Sequence, residues 1–447
     1  MNFSKLIVKN QEYLIFDILL KVVELKTPET KLYAVGGWVR DSLLGIESND
    51  IDIAISNMSG LNFANLVVEY LKENDLLTKT PIVIKANPDQ SKHLETAMLE
   101  INGLCIDFVN FRKETYTDSR IPVIELGTIE EDASRRDLTI NALFYNLHTE
   151  SIEDYVGGLQ DLYDSIAKTP IDPKQTFIDD PLRIYRCIRF ATKYKLSVDL
   201  NIIKTIKNIN VIEALGNKIS PERIFKEVGG YLLPSGEWKS GFFSIDYPSS
   251  ADALELLNNM DLLYILFEDC HIDFYEAYYY LINLEYSEIK SQDILVCTLA
   301  ILLEKNPNSQ ISQSLLKIKC PKNIIERVNK LIDSVKFLKM NYDSTKGLRK
   351  FLAKAKEDFN LAIEILKVKF MNDLDFIEVI KKIQSIYIEQ KGYKIIPPIT
   401  GKDLLELGYA QSPLIGSALA HLEEKLFENP KMNKEEAINC CMEILEC

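Results

Sequence analysis

Histidine and tryptophan are scarce in this 447-residue chain, with four of the first and two of the second. Its eight cysteines, Cys105, Cys187, Cys270, Cys297, Cys320, Cys440, Cys441 and Cys447, include no Cys-x-x-Cys pair. A zinc site built on paired thiolates or clustered imidazoles therefore has little to draw on. Reduced, mostly buried thiols in an intracellular protein are the plain account. No run of about 18 apolar residues occurs, so no segment reads as a membrane-spanning helix. The first 25 residues alternate apolar and charged positions at helical spacing, without a secretory apolar core or a small-residue cleavage site. They read as a surface helix of the mature protein. No repeat of fixed period is present.

Positive charge is also in deficit. The formal net charge is −14, which argues against general attraction to nucleic acid. The deficit is uneven, because residues 313–356 carry twelve Lys or Arg against Glu326, Asp333 and Asp343, a local +9. Such a segment suits an RNA-backbone stripe or a solvated helix face equally. With 47% hydrophobic residues the chain is globular, and its length leaves room for more than one core.

Strand-like runs are confined to the first 150 or so residues: 31–35, 50–55, 80–85, 96–101, 104–110 and 144–146. Beyond about residue 161, apolar residues recur at helical spacing almost to the end. The expected fold class is α+β, an α/β head followed by an all-helical remainder. Turn-forming clusters near 234–236, 248–250 and 390–398 suggest further divisions. The charged stretch 113–132 lacks clear periodicity and reads as a loop at the mouth of the head.

The segment YAVGGWVRDSLLGIESNDIDIA (33–54) reads as strand, glycine turn, helix and strand. Asp50 and Asp52, two apart on a strand, face the same side. Two carboxylates so placed call for a cation between them, and paired magnesium ions drive in-line phosphoryl displacement. Gly36 and Gly37 let backbone amides approach a phosphate chain at a helix start, with Arg40 one turn in. Taken singly, each motif is also ordinary turn or strand-end chemistry.

Asp107 lies in the apolar strand LCIDFVNFR, where a carboxylate is costly unless paired or metal-bound. It either completes a triad with Asp50 and Asp52 or pairs with a neighbouring arginine. In EEDASRRDLTINALFYN, Arg135, Arg136 and Asp137 are expected to open a helix that presents Asn141 one turn on. The guanidinium groups suit triphosphate oxygens. Asp137 and Asn141 suit a ribose hydroxyl.

In FIDDPLRIYRCIRFATKY, Pro181 fits a first helical turn and Asp180 its cap. Arg183, Arg186 and Arg189 follow at intervals of three, which a capped helix with an Asp–Arg staple also explains. A carboxylate beside an arginine matches the amine donor and ring-nitrogen acceptor that cytosine and adenine share. Uracil and guanine present the reverse order and leave both charges unsatisfied.

In this order the constellations resemble class II nucleotidyltransferases that add CCA to tRNA 3′ ends, whose head bacterial poly(A) polymerases share. The matching residues are GGWVRD at 36–41, Leu44-Gly45, Asp50-Ile51-Asp52, RRDLTINALFYN, DYVGGLQDL at 154–162, DDPLRIYRCIRFA and SPERIFKEV at 220–228. PPITGKDLLELGYAQSPLIGSAL at 397–419 looks like the family's tail. The base-reading pattern starts Asp179-Asp180 where much of the family has Glu-Asp. That departure and the segment 86–97 resemble eukaryotic tRNA enzymes more than poly(A) polymerases.

The resemblance implies a catalytic head with a mixed five-stranded sheet (1–150), a helical neck that reads the base (151–235), a body (236–340) and a tRNA-binding tail (341–447). It implies magnesium on Asp50 and Asp52, phosphate contacts from Arg40, Arg135 and Arg136, and sugar contacts from Asp137 and Asn141. Asp180 and Arg183 would read CTP and then ATP, and the loop 113–132 would move between the two. Body and tail would clamp the tRNA acceptor arm, with the 313–356 stripe on its backbone. The implied place is cytoplasmic or nuclear, with a mitochondrial pool left open. Rival expectations are a poly(A) polymerase, an enzyme adding only CC or only A, and a catalytically silent RNA-binding protein. A dinucleotide-binding oxidoreductase fits worse, because GGWVRD is not Gly-x-Gly-x-x-Gly.

Overall fold

The computed structural model describes residues 6, 8–48, 50–76, 82–84, 96–116, 122–232, 250–284 and 291–446. The chain divides into two compact units, Met1–Ile265 and Leu266–Cys447. The sequence breaks near 234–236 and 248–249, and residues 86–95 of the eukaryotic-like segment, lie outside the described residues.

The first unit opens with α1 (Asn10–Lys26), which buries Ile15, Phe16, Leu19, Val22 and Val23 on one face. Glu12 is buried there as well, accepting a hydrogen bond from the Trp38 indole at 2.9 Å. There follow β1 (Leu32–Val35), α2 (Gly37–Leu43), β2 (Asp50–Ile55), α3 (Gly60–Glu73), β3 (Ile82–Ile84), β4 (Thr96–Ile101) and β5 (Leu104–Asn110). Next come β6 (Arg112–Thr115), β7 (Val123–Leu126), α4 (Ile129–Ser134), a 3-10 turn (Thr139–Asn141), β8 (Leu143–Asn146) and β9 (Ser151–Asp154).

The central sheet has the order β3-β4-β5-β2-β1-β8-β9. It is mixed, as expected, with β2 and β5 parallel and the other neighbours antiparallel. Seven strands stand where five were expected. The edge strand β9 is the one the strand signals missed, since SIED is too short and polar to alternate.

The stretch 113–132 differs from the expected loop. β6 and β7 pair as an antiparallel ribbon, and α4 follows with a Thr128–Glu131 capping box. Residues 117–121 of the stretch lie outside the described residues. The ribbon escaped notice because β7 leaves Val123 and Leu126 exposed, so no buried face imposes alternation.

Helices complete the unit: α5 (Gly158–Tyr163), α6 (Pro173–Asp179), α7 (Leu182–Tyr194), α8 (Leu200–Ile206), α9 (Ile209–Lys218), α10 (Pro221–Leu232) and α11 (Ser250–Asn259). A two-residue parallel pair, β10 (Ile166–Ala167) with β11 (Ser197–Val198), sits among them. The DYVGG turn has a physical reason. Asp154 accepts from the backbone N–H groups of Val156, Gly157, Gly158 and Leu159, a one-carboxylate staple for the start of α5. A Cβ on Gly158 would sit 2.2 Å from the Thr139 carbonyl oxygen, so glycine lets α5 press against the turn that carries Asn141.

The second unit is helical throughout its described residues, as the sequence period predicts. Its tail forms a separate core from Ile399, Leu404, Ile415, Ala418, Leu422, Leu426, Ala437, Cys440 and Cys441. No helix among the described residues is long and apolar enough to cross a membrane.

Candidate active site

The cleft in the first unit is lined by Asp52 of a strand pair of carboxylates, while Asp50 and Asp107 lie outside its lining. Asp50 and Asp52 lie on the exposed face of β2, whose alternate residues Ile51 and Ile53 are buried. Parallel pairing sets Asp107 of β5 directly opposite Asp52, so the fold brings the three acids together on one face. Asp52 opens to the cleft and is ringed by protein on its other sides. Burial, with Asp107 as the next contribution, pushes its carboxyl up to about 6.

The cleft is about 550 Å³ and is lined by Gly36, Gly37, Asp52, Arg112, Arg135, Arg136, Asp137, Asn141, Asp180, Arg183 and Arg186, among others. Gly36 has φ +72°, and a Cβ there would lie 2.8 Å from Arg136 Nη1. The turn thus needs glycine both for its backbone and for the arginine behind it.

Arg135 and Arg136 share one buried acid, Asp132. Arg135 Nε donates to Asp132 Oδ1 at 2.9 Å, and Arg136 Nη2 to Oδ2 at 2.8 Å. Burial alone would raise the Asp132 carboxyl, but Arg136 and Arg135 outweigh it and hold it well below the carboxylate range. Arg135 also reaches Glu114 at 2.8 Å, and Arg136 donates to the Asn141 carbonyl at 2.9 Å.

The expected helix from Arg135 to Asn141 does not form. α4 ends at Ser134, and Asn141 sits on the 3-10 turn. The two residues are nonetheless neighbours, because Asn141 Nδ2 donates to Asp137 Oδ1 at 3.0 Å. Arg186 of α7 donates to Asp137 Oδ2 at 2.7 Å. Burial opposes ionisation of Asp137, yet Arg186 and Asn141 hold its carboxyl far below the usual range.

Asp180 accepts the Leu182 N–H at 3.2 Å, but the cap position of α7 falls on Pro181 and not on Asp180 as expected. Its ion pair is not with Arg183. Arg223 of α10 donates to Asp180 at 3.0 Å, while Arg183 lies 3.4 Å from Glu114 and from the Tyr116 hydroxyl. Arg189 is outside the cleft lining, paired with Glu227 at 2.6 Å.

Arg40 is also off the cleft wall, only 4% exposed. It pairs with Asp41 at 2.8 Å and with Asn141, and lies over the Tyr194 ring at 4.3 Å. These contacts tie α2 to α7 and leave Arg40 away from the cleft, where the expected phosphate contact would lie.

Among the charged cleft residues, Arg112 and Arg223 have no role in the sequence analysis, and Glu114 and Asp132 have one only within the 113–132 loop. Arg112 and Glu114 form an Arg-x-Glu pair just after the third acidic strand, a signal available in FVNFRKE. Arg223 stands in SPERIF, whose resemblance was noted without a function.

The basic stripe in the second unit is partly spent. Lys317, Arg327, Lys346 and Lys350 are ion-paired. Lys319, Lys322 and Lys336 are exposed and form no ion pair among the described residues.

Residues 32–167 match the poly A polymerase head domain, and residues 289–441 match tRNA nucleotidyltransferase domain 2. Among curated relatives, the nucleotidyltransferase lcsQ of Purpureocillium lilacinum is 45% identical over 52% of this chain and 41% of its own length. The tRNA nucleotidyltransferase cca2 of Schizosaccharomyces pombe is 41% identical over 51% of this chain and 49% of its own. The mitochondrial CCA tRNA nucleotidyltransferase of Saccharomyces cerevisiae is 47% identical over 45% and 38%. The matched part thus spans less than half the length of each.

A solved CCA-adding enzyme in complex with CTP superposes with a TM-score of 0.70 at 20% identity, covering 98% of this chain and 97% of that one. The Thermotoga maritima CCA-adding enzyme complexed with tRNA gives 0.66 at 19%, covering 98% and 96%. At that identity the likeness shows a shared fold. One chain thus carries a match to a poly A polymerase head domain and a match to tRNA nucleotidyltransferase domain 2, on the fold of the CCA-adding enzymes.

Proposed function

We propose that this chain is a CCA tRNA nucleotidyltransferase, which adds and repairs the 3′-terminal CCA of tRNA from CTP and ATP without a template. One observation carries the reading. A single cleft gathers Asp52, a bank of arginines, and Asp180 with Arg183, and the strand register sets Asp107 opposite Asp52. Relatives named for this activity and a solved neighbour bound to CTP support it.

Asp50 and Asp52 fit a hard divalent cation, since both offer oxygen donors on one face and Asp52 is crowded by Asp107. Magnesium bound there would supply Lewis-acid polarisation and neutralise charge on the phosphates. Asp107 completes the acidic face and orients the RNA 3′-hydroxyl. As the hydroxyl proton passes to water, that oxygen attacks the α-phosphorus, the bond to the bridging oxygen breaks, and pyrophosphate leaves. Arg135 and Arg136 steady the phosphates, with Asp132 fixing their forks. The Gly36–Gly37 turn lets the chain approach closely. Asp137, anchored by Arg186, holds Asn141 at the ribose.

Asp180 accepts the exocyclic amine of cytosine or adenine, and Arg183 donates to the ring nitrogen. Its long contacts to Glu114 and Tyr116 are exchanged for the base. In domain terms the head spans 1–150, the neck 151–235, the body 236–340 and the tail 341–447. Lys319, Lys322 and Lys336 are among the exposed cations of the stripe without an ion pair among the described residues, and they face the acceptor-arm backbone. The setting is intracellular, and a mitochondrial share accords with the yeast relative's name.

The test uses tRNA transcripts ending at the discriminator base, after C and after CC, each with magnesium and one labelled nucleotide. Two additions from CTP, and one from ATP onto the CC form, are expected. The match to a poly A polymerase head favours one second reading, an enzyme that extends RNA with many A residues. A long ladder from ATP alone on any RNA would select it.

A further inference from the structure

Arg112 differs from every other arginine on the cleft wall. Arg135, Arg136, Arg183, Arg186 and Arg223 each have a carboxylate partner. Arg112 has none among the described residues, and its Nε is buried without a hydrogen-bond acceptor. The nearby acids are already committed. Both Asp132 oxygens serve Arg135 and Arg136, and the Asp132 Oδ1 left to Arg112 takes its backbone N–H at 3.1 Å. Glu114 divides its oxygens between Arg135, Tyr116 and Arg183. Burial and then the neighbouring Arg135 push the Arg112 guanidinium below its ordinary value, against the opposing pull of Asp132 and Glu114.

Its position is preset. Arg112 opens β6, and Gly127 packs against that backbone so closely that a Cβ there would lie 2.7 Å from the Arg112 carbonyl carbon. Gly127 N–H bonds the preceding carbonyl, that of Phe111, at 3.1 Å. A clamped backbone aims the side chain into the cleft, where its charge is felt at Asp52. Buried donors without acceptors are rare, and a planar guanidinium suits an oxyanion with two free oxygens.

We propose that Arg112 is a substrate-contacting residue whose guanidinium takes a phosphate oxyanion beside Asp52. The inference rests on the nucleotidyl-transfer reading of the same cleft. Two sources carry that chemistry, the triphosphate of the incoming nucleotide and the 3′-terminal phosphodiester of the RNA. A phosphate there pairs with the guanidinium and balances the charge it adds beside Arg135 and Arg136.

The experiment titrates the full chain with CTP, with inorganic tripolyphosphate and with a tRNA transcript ending in CC, for wild type, Arg112→Gln and Arg112→Lys. Arg112→Gln should weaken at least one of these tenfold or more, and Arg112→Lys should restore part of the loss. Weakening of CTP and tripolyphosphate assigns the nucleotide, whereas weakening of the transcript alone assigns the RNA end. The melting temperature of Arg112→Gln should equal or exceed that of wild type, because an unpaired buried cation is removed. Equal binding of all three ligands by wild type and Arg112→Gln overturns the inference. Loss of binding with a matching fall in melting temperature, unrelieved in Arg112→Lys, also overturns it, as a structural role. Wild-type protein that binds neither CTP nor tripolyphosphate would instead sink the nucleotidyl-transfer reading.

Discussion

The Asp180 carboxylate is held by Arg223, whose Nη2 donates to it at 3.0 Å from a different helix. Under the proposed function, Arg223 orients the acid that reads the base, while Arg183 is left to weak, exchangeable contacts. Replacing Arg223 with methionine should leave Asp180 free to turn. The expected result is a fall of about tenfold in kcat/KM for both CTP and ATP, the loss of one charge-assisted hydrogen bond. UTP incorporation should change less. Single-nucleotide kinetics on a transcript ending in C checks this, and unchanged C-to-U selectivity would contradict it.

Asp52 gives a pH prediction. Its carboxyl is raised to about 6 by burial and then by Asp107, so the ionised form carries a cost in the folded state. Folding stability from this group therefore rises as pH falls below that value, with no divalent cation present. Cation binding has the opposite sense, because the ligand must be deprotonated. Magnesium affinity and activity should decline as pH falls through about 6. Asp107→Asn removes a repelling charge and should move that limb to lower pH. A pH–activity profile at fixed magnesium for both proteins is the check.

The Asp137–Arg186 pair should contribute to stability. Asp137 is buried and its carboxyl is depressed, so its contribution is present above the unfolded-state carboxylate value. It is lost only as pH falls through the still lower folded value. Arg186→Met leaves that carboxylate to Asn141 and the Leu138 N–H. The general cost of unpairing a buried charge is discounted because Arg186 is itself about a third exposed, leaving about 2 kcal/mol. Denaturant unfolding should show that deficit at pH 7 and a smaller one in strong acid.

Gly36 should tolerate no side chain. An alanine there meets both the positive φ and the Arg136 guanidinium at 2.8 Å. Gly36→Ala should cost about 1–2 kcal/mol of stability and raise the KM for CTP severalfold, because Arg136 must leave the Asn141 carbonyl. Thermal melting and initial-rate kinetics measure the two parts separately.

Much of the head was legible because its strands bury one or both faces. β2, β4 and β5 begin and end where apolar patterning placed them, and that patterning set Asp50 and Asp52 on one face. Their placement opposite Asp107 needed the parallel register, which no local pattern encodes. The ribbon β6–β7 stayed hidden because its exposed side chains impose no period. Arg40 shows a different limit. A conspicuous charge beside a glycine turn suggests a phosphate contact, but the partners that bury it, Tyr194 and Phe190, lie about 150 residues away and only the fold unites them. Arg183 and Asp180 were rightly placed in one cleft, yet their true partners, Glu114 and Arg223, come from other elements.

The most direct test of the central claim offers the full chain all four nucleotides at equal concentration. The substrate is a tRNA transcript ending at its discriminator base, and the 3′ ends of the products are then sequenced. The account predicts a single dominant product extended by CCA, with no U or G and no further growth. Ends carrying runs of A, random nucleotides, or no extension at all would contradict it.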